Sequence, residues 1–373
     1  MAHAPAGRTP FKARLFHGLR RLHRWLTYLM AAPLLVLSLS GALLVFGHEI
    51  EGALAPHVWH VEPRGEPLSH RTLLERVRQQ KPDIAVWSIS AGETPADAWT
   101  LWLAGGAGVM TLDPYTGAIL SQHHPHGTVR GTLVALHRWL LVDGSARPWA
   151  RHLVSAVALA MMVQVLVGLW LWSLPPRPWR NAVPDFSRSA RLAVSRLHQA
   201  TGLATAALLL MVAFTGMAMY WTTPTRALVE AVTASRVPAN PEPAAHAPAP
   251  VADLDAAVAA ARAALPHGRA RHVRIPAKPD HPAVVSFDTP GTLVPSHAIV
   301  GGTPPRVLAL QDGREASAAG WFWAAHHHLH MGDFAGGALG TAVRAVWVLL
   351  ALIPAAFVAS GLWLHARRRP SPS

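Results

Sequence analysis

The chain has 373 residues, of which 51% are hydrophobic and 14% are charged, and its formal net charge is +13. This composition is more apolar and less charged than that of an ordinary soluble domain, so it indicates a protein solvated by a lipid bilayer. The absence of cysteine excludes thiolate iron–sulfur clusters, c-type haem attachment and disulfides, and it leaves the 23 histidines as the main candidate metal ligands.

The chain begins with a basic segment, 1–24, and an apolar stretch that we predict to span the membrane at 25–48. A spanning helix needs about 20 apolar residues. This stretch is too long for a signal-peptide core and is not followed by a small-residue cleavage site, so we expect it to be retained.

An insert at 49–131 follows the first span. It is predicted to contain a helix beginning near Ser69 and three strands that end in a turn at 113–117; the strands are expected at 84–89, 98–103 and 109–112. An outer interfacial segment, 132–150, then leads to the second span, 151–175. We interpret the insert as a small α+β unit.

The second half repeats this order. Its predicted segments are a link at 176–196, a third span at 197–222, an insert at 223–329, an outer interfacial segment at 330–343, a fourth span at 344–366 and a tail at 367–373. Within the insert we expect a Pro/Ala-rich linker, a helix at 253–264 and strands at 270–275, 283–287 and 307–310. The predicted fold is a membrane all-α core of four transmembrane helices with two extracytoplasmic α+β inserts.

Basic residues are concentrated in 1–24, 176–196 and 367–373. The positive-inside rule therefore places both termini and the link in the cytoplasm and both inserts outside. We expect a multi-pass protein of the bacterial inner membrane. A nucleic-acid partner is not expected, because the cations lie at helix ends rather than on a folded basic face.

The two halves share histidine and glycine positions in register. His23 precedes Gly41 by 18 residues, as His198 precedes Gly216, and His137 precedes Gly168 by 31 residues, as His330 precedes Gly361. Agreement at several positions predicts an internal duplication of a two-helix unit, with both copies in one orientation.

The matched histidines are candidate ligands of two b-type haems. Eighteen residues make five helical turns, so His23 shares a helix face with Gly41, and His198 shares one with Gly216. Two imidazoles from neighbouring helices give bis-histidine haem ligation. We expect one haem between His23 and His198 near the cytoplasm, and another between His137 and His330 outside. The alternative is that these are interfacial histidines and that the glycines serve close helix packing; four matched positions favour ligation.

Further residues are assigned supporting roles at these sites. The glycines would clear space for the macrocycles, with Gly168 and Gly361 at the inner haem and Gly41 and Gly216 at the outer one. Four border arginines would pair with propionates or act as snorkelling anchors: Arg24, Arg138, Arg151 and Arg344. His152 and His365 have no counterpart in the other half and are weaker ligand candidates.

A cluster before the fourth span is a candidate substrate site. It contains Trp321, Trp323, His326, His327 and His328. It could bind a metal or a ferric substrate, or it could be an aromatic belt with solvated imidazoles. His326 or His328 could also replace His330 as a ligand.

The paired motifs resemble the PepSY-associated transmembrane helix family of iron-regulated membrane proteins over nearly the whole chain. They are Leu22-His23-Arg24-Trp25 with Ser40-Gly41, Leu136-His137-Arg138 with Gly168-Leu169-Trp170, Leu197-His198 with Thr215-Gly216, and Leu329-His330-Met331-Gly332 with Ser360-Gly361-Leu362-Trp363. The run from Leu112 to Gly117 resembles the last strand and turn of a PepSY domain, whereas 286–291 is only a loose echo.

This resemblance implies dihaem reduction of a ferric siderophore at the periplasmic face, as in the ferrioxamine reductase type. The electron donor would be a separate cytoplasmic reductase or a membrane quinol. Two other functions remain open: a haem-free envelope sensor or assembly factor with peptide-binding inserts, and a metal transporter. Transport is the least favoured, since the predicted spans lack the acidic residues that commonly form cation pathways.

Overall fold

The structure is a computed structural model that describes residues 10–187, 189–239, 251, 253–276, 278 and 281–367. The first part of the predicted basic segment 1–24, most of the Pro/Ala-rich linker and the tail after Arg367 lie outside the described residues. The described residues form two compact units. Residues of 1–45, 133–225 and 327–373 form the helical unit, and residues of 46–132 and 226–326 form the sheet unit.

The chain contains twelve α-helices and eight strands within its described part. The helices are α1 Pro10–Leu44, α2 Gly47–Leu54, α3 Pro56–Trp59, α4 His70–Gln80, α5 Val129–Trp139, α6 Arg147–Ser173, α7 Pro178–Asn181, α8 Ala190–Ala218, α9 Thr222–Thr233, α10 Leu254–Ala264, α11 Ala318–Met331 and α12 Gly337–Ala366. The strands are β1 Val86–Ser90, β2 Trp99–Leu103, β3 Val109–Leu112, β4 Ile119–His123, β5 Arg269–Arg274, β6 Ala283–Asp288, β7 Ser296–Gly301 and β8 Arg306–Gln311.

Four helices are long and apolar enough to cross a membrane, which confirms the predicted number of spans. The spans are Arg14–Leu44, Gly144–Ser173, Ala190–Ala218 and Gly337–Ala366. In the helical unit α1 packs against α6 and α12, and α8 packs against the same two helices. The four spans therefore form a closed ring.

A serine bridges α1 and α12 where a proline interrupts the α12 hydrogen-bond ladder. Pro354 has no N–H to donate. The buried Ser38 hydroxyl donates to the Ala351 carbonyl and accepts from the Ala355 N–H at 3.3 Å. This contact joins the two helices by polar groups that lipid could not satisfy.

The sheet unit contains one antiparallel sheet with the order β4-β3-β2-β1-β5-β6-β7-β8. The two inserts were expected to form two α+β units, but β1 pairs with β5 and makes their strands continuous. Each insert contributes a helix followed by four strands. Leu73 and Val77 of α4 pack on the first four strands, and Val258 of α10 packs on the last four. The α+β character of the inserts is confirmed, and the second insert has the same element order as the first.

The start of α4 is held by the second insert. Ser69 is the N-cap and accepts from the Thr72 N–H, as expected for a helix that begins there. The Asp255 carboxylate accepts from the N–H groups of His70 and Arg71 at 2.8 and 3.3 Å. The free N–H groups at this helix end are thus satisfied by two different parts of the chain.

Candidate functional site

The structure brings together the two histidine pairs that the sequence predicted. His23 on α1 and His198 on α8 form the first pair, with ring centres 6.4 Å apart and ring planes at 76°. His137 on α5 and His330 on α11 form the second pair, with ring centres 6.1 Å apart and planes at 61°. All four residues belong to the helical unit.

Both pairs meet edge to face, and their separations lie within the ordinary range of such ring contacts. An imidazole nitrogen lies about 1.15 Å from the ring centre and a metal–imidazole bond is about 2.0–2.1 Å long, so coaxial ligands have ring centres roughly 6.4 Å apart. The ring-centre separations thus fit a metal ion held between two imidazoles as well as direct contact between the rings.

The His330 ring is held by acceptors on α8. Its Nδ1 lies 3.0 Å from the Val212 carbonyl oxygen, which can only accept, so Nδ1 carries the hydrogen. The Thr215 hydroxyl lies 3.2 Å from the same nitrogen and donates its own hydrogen to the Met211 carbonyl at 2.8 Å. Nδ1 is therefore the protonated nitrogen, and Nε2 carries the lone pair of the ring.

His137 is held on α1 in the same way. Its Nδ1 lies 3.0 Å from the Ser40 hydroxyl, and Ser40 donates to the Val36 carbonyl at 2.6 Å, so the serine oxygen accepts from the imidazole. Burial lowers the pKa of His137 to about 4 against the opposing effect of the Leu37 carbonyl. The ring is therefore neutral at physiological pH, which is the form that binds a metal.

His198 is the third histidine whose ring contacts a hydroxyl group. Its Nδ1 lies 2.8 Å from the Ser360 hydroxyl on α12, and Ser360 lies in donor geometry to the Phe357 carbonyl at 3.2 Å. The same tautomer follows. A second group that fixes the tautomer and ring orientation is the usual environment of a metal-binding histidine.

His23 differs from the other three. Its Nδ1 is buried and has no hydrogen-bond partner among the described residues. Gln164 Nε2 donates to the His23 carbonyl at 2.8 Å and to the Thr27 hydroxyl at 2.7 Å.

The four glycines do not share one role. A Cβ on Gly41 would lie 3.0 Å from His137 Cε1, and a Cβ on Gly216 would lie 2.9 Å from His330 Cε1. A Cβ on Gly168 would be 3.5 Å from His23 Cε1, whereas one on Gly361 would meet the Thr27 methyl at 3.7 Å. Gly41 and Gly216 thus make room for the imidazoles themselves; clearance for a flat ligand stays a prediction.

A cavity of about 400 Å³ surrounds the first pair, within the range of small-molecule sites. Gly168, Gly202 and Gly361 line it together with aliphatic and aromatic side chains. Arg20 and Arg24 also line it. The cavity thus combines apolar walls, two nitrogen donors and two cations, which suits a flat apolar cofactor that carries carboxylates.

The border arginines lie in different surroundings. Arg24 lines the cavity, and its Nε donates to the Arg20 carbonyl at 3.3 Å. Arg151 lies over the Tyr220 ring at 4.2 Å, and Arg138 lies over the Trp139 ring at 5.9 Å. Arg344 lies in the second turn of α12 and is partly buried. Their pairing with propionates stays a prediction.

The alternative ligands lie beside other partners. His152 Nδ1 accepts from Trp221 Nε1 at 2.9 Å, and the ring of His365 lies 5.6 Å from that of Tyr28. His328 Nδ1 lies 3.0 Å from an Asp333 carboxylate oxygen.

The side chains of His326, His327 and His328 are not arranged around a common point where a metal ion could bind. His326 Nδ1 lies 2.5 Å from the Trp323 carbonyl, the His327 and His328 rings are 6.1 Å apart, and Trp321 is 40% exposed. Across the described residues no group of three or more His, Cys, Asp or Glu side chains is arranged to hold a metal ion. A role for this segment in substrate binding stays a prediction.

Sequence reasoning missed the hydroxyl partners, although a signal was present. Ser40, Thr215 and Ser360 each directly precede one of the matched glycines. The glycine lets the histidine approach, and the preceding hydroxyl accepts from it. The contacts of Gln164 with His23 and Thr27 could not be predicted, because no matched sequence position marks Gln164.

A closed ring of four membrane-length helices that holds two facing histidine pairs, with a separate α+β unit, defines a multi-pass membrane protein. Residues 20–368 match the PepSY-associated TM region. The chain therefore belongs to the PepSY-associated transmembrane family, and this membership indicates an iron-regulated membrane protein. No curated protein matches the chain.

Proposed function

We propose that the protein is a dihaem b-type electron-transfer protein of the bacterial inner membrane that reduces an extracytoplasmic ferric complex, with a ferric siderophore as the favoured substrate. The observation that carries the proposal is the pairing of the four matched histidines, with ring centres 6.4 and 6.1 Å apart, combined with hydroxyl groups at Nδ1 of three of the four imidazoles. Bound haem would supply one-electron redox chemistry.

The residues of this chain would bind and orient the two cofactors. His23 and His198 would hold one, and His137 and His330 the other. His137 lies against Gly41, which is 18 residues beyond His23, or roughly 27 Å along α1. The two sites therefore lie toward opposite ends of the same helix, as a protein that moves electrons across a membrane requires.

Reduction would release iron because siderophore oxygen donors are hard ligands that hold Fe(III) more strongly than the softer Fe(II). The basic clusters at 1–24, 176–196 and 367–373 support cytoplasmic termini. A quinol or a cytoplasmic reductase would donate the electrons. The four candidate spans contain no Asp or Glu, which disfavours the transporter alternative.

Optical spectra of the purified full-length protein test the cofactor assignment. We expect a Soret band and sharp low-spin α and β bands after anaerobic reduction. His198→Ala and His330→Ala should each lower the haem content by about one of two equivalents. His365→Ala is the control, because His365 lines the cavity but does not belong to a histidine pair. A colourless protein would instead favour the haem-free sensor.

Stopped-flow reoxidation tests the reductase activity. The reduced protein is mixed anaerobically with a panel of ferric chelates that includes hydroxamate, catecholate and citrate complexes. We expect at least one class to reoxidise the protein with release of Fe(II) to a ferrous chelator. If the haems are present and no chelate reoxidises them, the reductase assignment fails.

A further inference from the structure

The two histidines of the first pair differ in the hydrogen bonding of Nδ1. Ser360 precedes Gly361 and holds the His198 imidazole through Nδ1. The matching residue before Gly168 is Val167, whose side chain cannot accept a hydrogen bond. His23 is consequently the member of the four whose Nδ1 has no hydrogen-bond partner among the described residues.

A missing partner weakens a histidine ligand in two ways. The hydrogen bond to the distal nitrogen fixes the ring orientation and raises the basicity of the ligating nitrogen, and its loss typically costs about 10–100-fold in metal affinity. Gln164 Nε2 donates to the backbone carbonyl of His23. The Gln164 Oε1 atom is buried and has no partner in the described part of the chain. No hydroxyl group holds Nδ1 of His23 as Ser360 holds Nδ1 of His198.

Space for the ring to move is present beside it. The cavity of about 400 Å³ is lined by His23 and by the small residues Thr27 and Gly168. A Cβ at Gly168 would still be 3.5 Å from the His23 ring, whereas the corresponding distances at Gly41 and Gly216 are 3.0 and 2.9 Å. The His23 ring is thus less tightly enclosed by the facing helix than the rings of the second pair.

From this asymmetry we infer that His23 would hold the cofactor less firmly than His198, and that the first site, but not the second, would accept a small neutral molecule such as carbon monoxide in place of the His23 imidazole. The inference rests on the proposed haem ligation. In the exchange the bond between the metal and His23 would break and a bond to the carbon of carbon monoxide would form, with no change in oxidation state. His198 would remain bound because Ser360 holds its ring.

Carbon monoxide difference spectra of the dithionite-reduced, full-length protein test this inference. The expected result is carbon monoxide binding at one of the two haems. Val167→Ser places a hydroxyl at the position that matches Ser360 and should weaken carbon monoxide binding by about tenfold or more. Val167→Ala is the matched control: it removes the same bulk without adding an acceptor, and it should not weaken binding.

The infrared stretch of bound carbon monoxide identifies the ligand that leaves. We expect the wild-type frequency to match that of His23→Ala, in which His198 is the remaining ligand. A wild-type frequency that differs from that of His23→Ala, carbon monoxide binding at neither haem or at both, or equal affinity in Val167→Ser and Val167→Ala would each overturn the inference. A protein without haem would instead refute the proposed function, so the two failures are distinguishable.

Discussion

At the residue scale, the site is built from a glycine on one helix and a histidine on another. The sequence predicted both the histidines and their pairing, because position and spacing repeat in the two halves of the chain. It did not predict that Gly41 and Gly216 lie against the imidazoles. A shared helix face says which residues line one side of a helix, but not which side chain from another helix fills the space.

Gly216→Ala should therefore disrupt the second pair. The added methyl would lie 2.9 Å from His330 Cε1, so the imidazole must move away from Thr215 and Val212. We expect the variant to lose about one of two haem equivalents in a pyridine haemochrome assay.

Gly18→Ala is the control for that variant. It makes the same change in a long helix, but a Cβ at Gly18 has no atom within 4 Å. The second haem should be retained. Equal haem content in Gly18→Ala and Gly216→Ala would show that the close contact at Gly216 is not needed for ligation.

At the element scale, strands with strong β-branched or alternating patterns were predicted and weaker ones were not. β3 has its predicted bounds, and β1, β2, β5, β6 and β8 lie within two residues of theirs. β4 and β7 were missed. β7, Ser296–Gly301, follows a proline and has only two apolar residues with clear strand preference, and it pairs with β6 on one side and β8 on the other. Local sequence does not encode such pairing.

The contact between Asp255 and α4 makes a prediction at this scale. Asp255→Ala removes a carboxylate that accepts from the His70 and Arg71 N–H groups. Each charge-assisted bond of this kind contributes about 1.5–3 kcal/mol, and we expect the free energy of unfolding to fall by about 1–3 kcal/mol after water replaces part of the loss.

Thermal unfolding of the detergent-solubilised protein would measure this effect. Glu75→Ala serves as the reference: it lies in the same helix and loses only an exposed ion pair with Arg71, so its effect should stay within about 0.5 kcal/mol. If the two substitutions destabilise the protein equally, the Asp255 contact does not stabilise the helix end.

At the scale of the whole molecule, the four spans could be predicted because each carries its own signal in length and hydropathy. The single sheet could not be predicted. Its central pairing joins β1 to β5, and those strands are separated in the chain by two spanning helices and a linker. Such a long-range pairing leaves no mark in either strand alone.

The absence of cysteine makes the orientation directly testable. Asp83→Cys places a thiol at an exposed position of the first insert, and Ser187→Cys places one at an exposed position of the basic link. We expect a membrane-impermeant maleimide to label Asp83→Cys in intact spheroplasts and to label Ser187→Cys only after lysis. The reverse labelling pattern would mean that the inserts face the cytoplasm.

The pairing of β1 with β5 has a consequence for biosynthesis. The ribosome completes the first insert before it has made α6, α8 and the strand that will cover β1. During this interval β1 presents a row of unpaired backbone groups, which readily recruit a foreign strand. We therefore expect a chain that stalls after residue 225 to keep this edge unpaired and to be prone to aggregation.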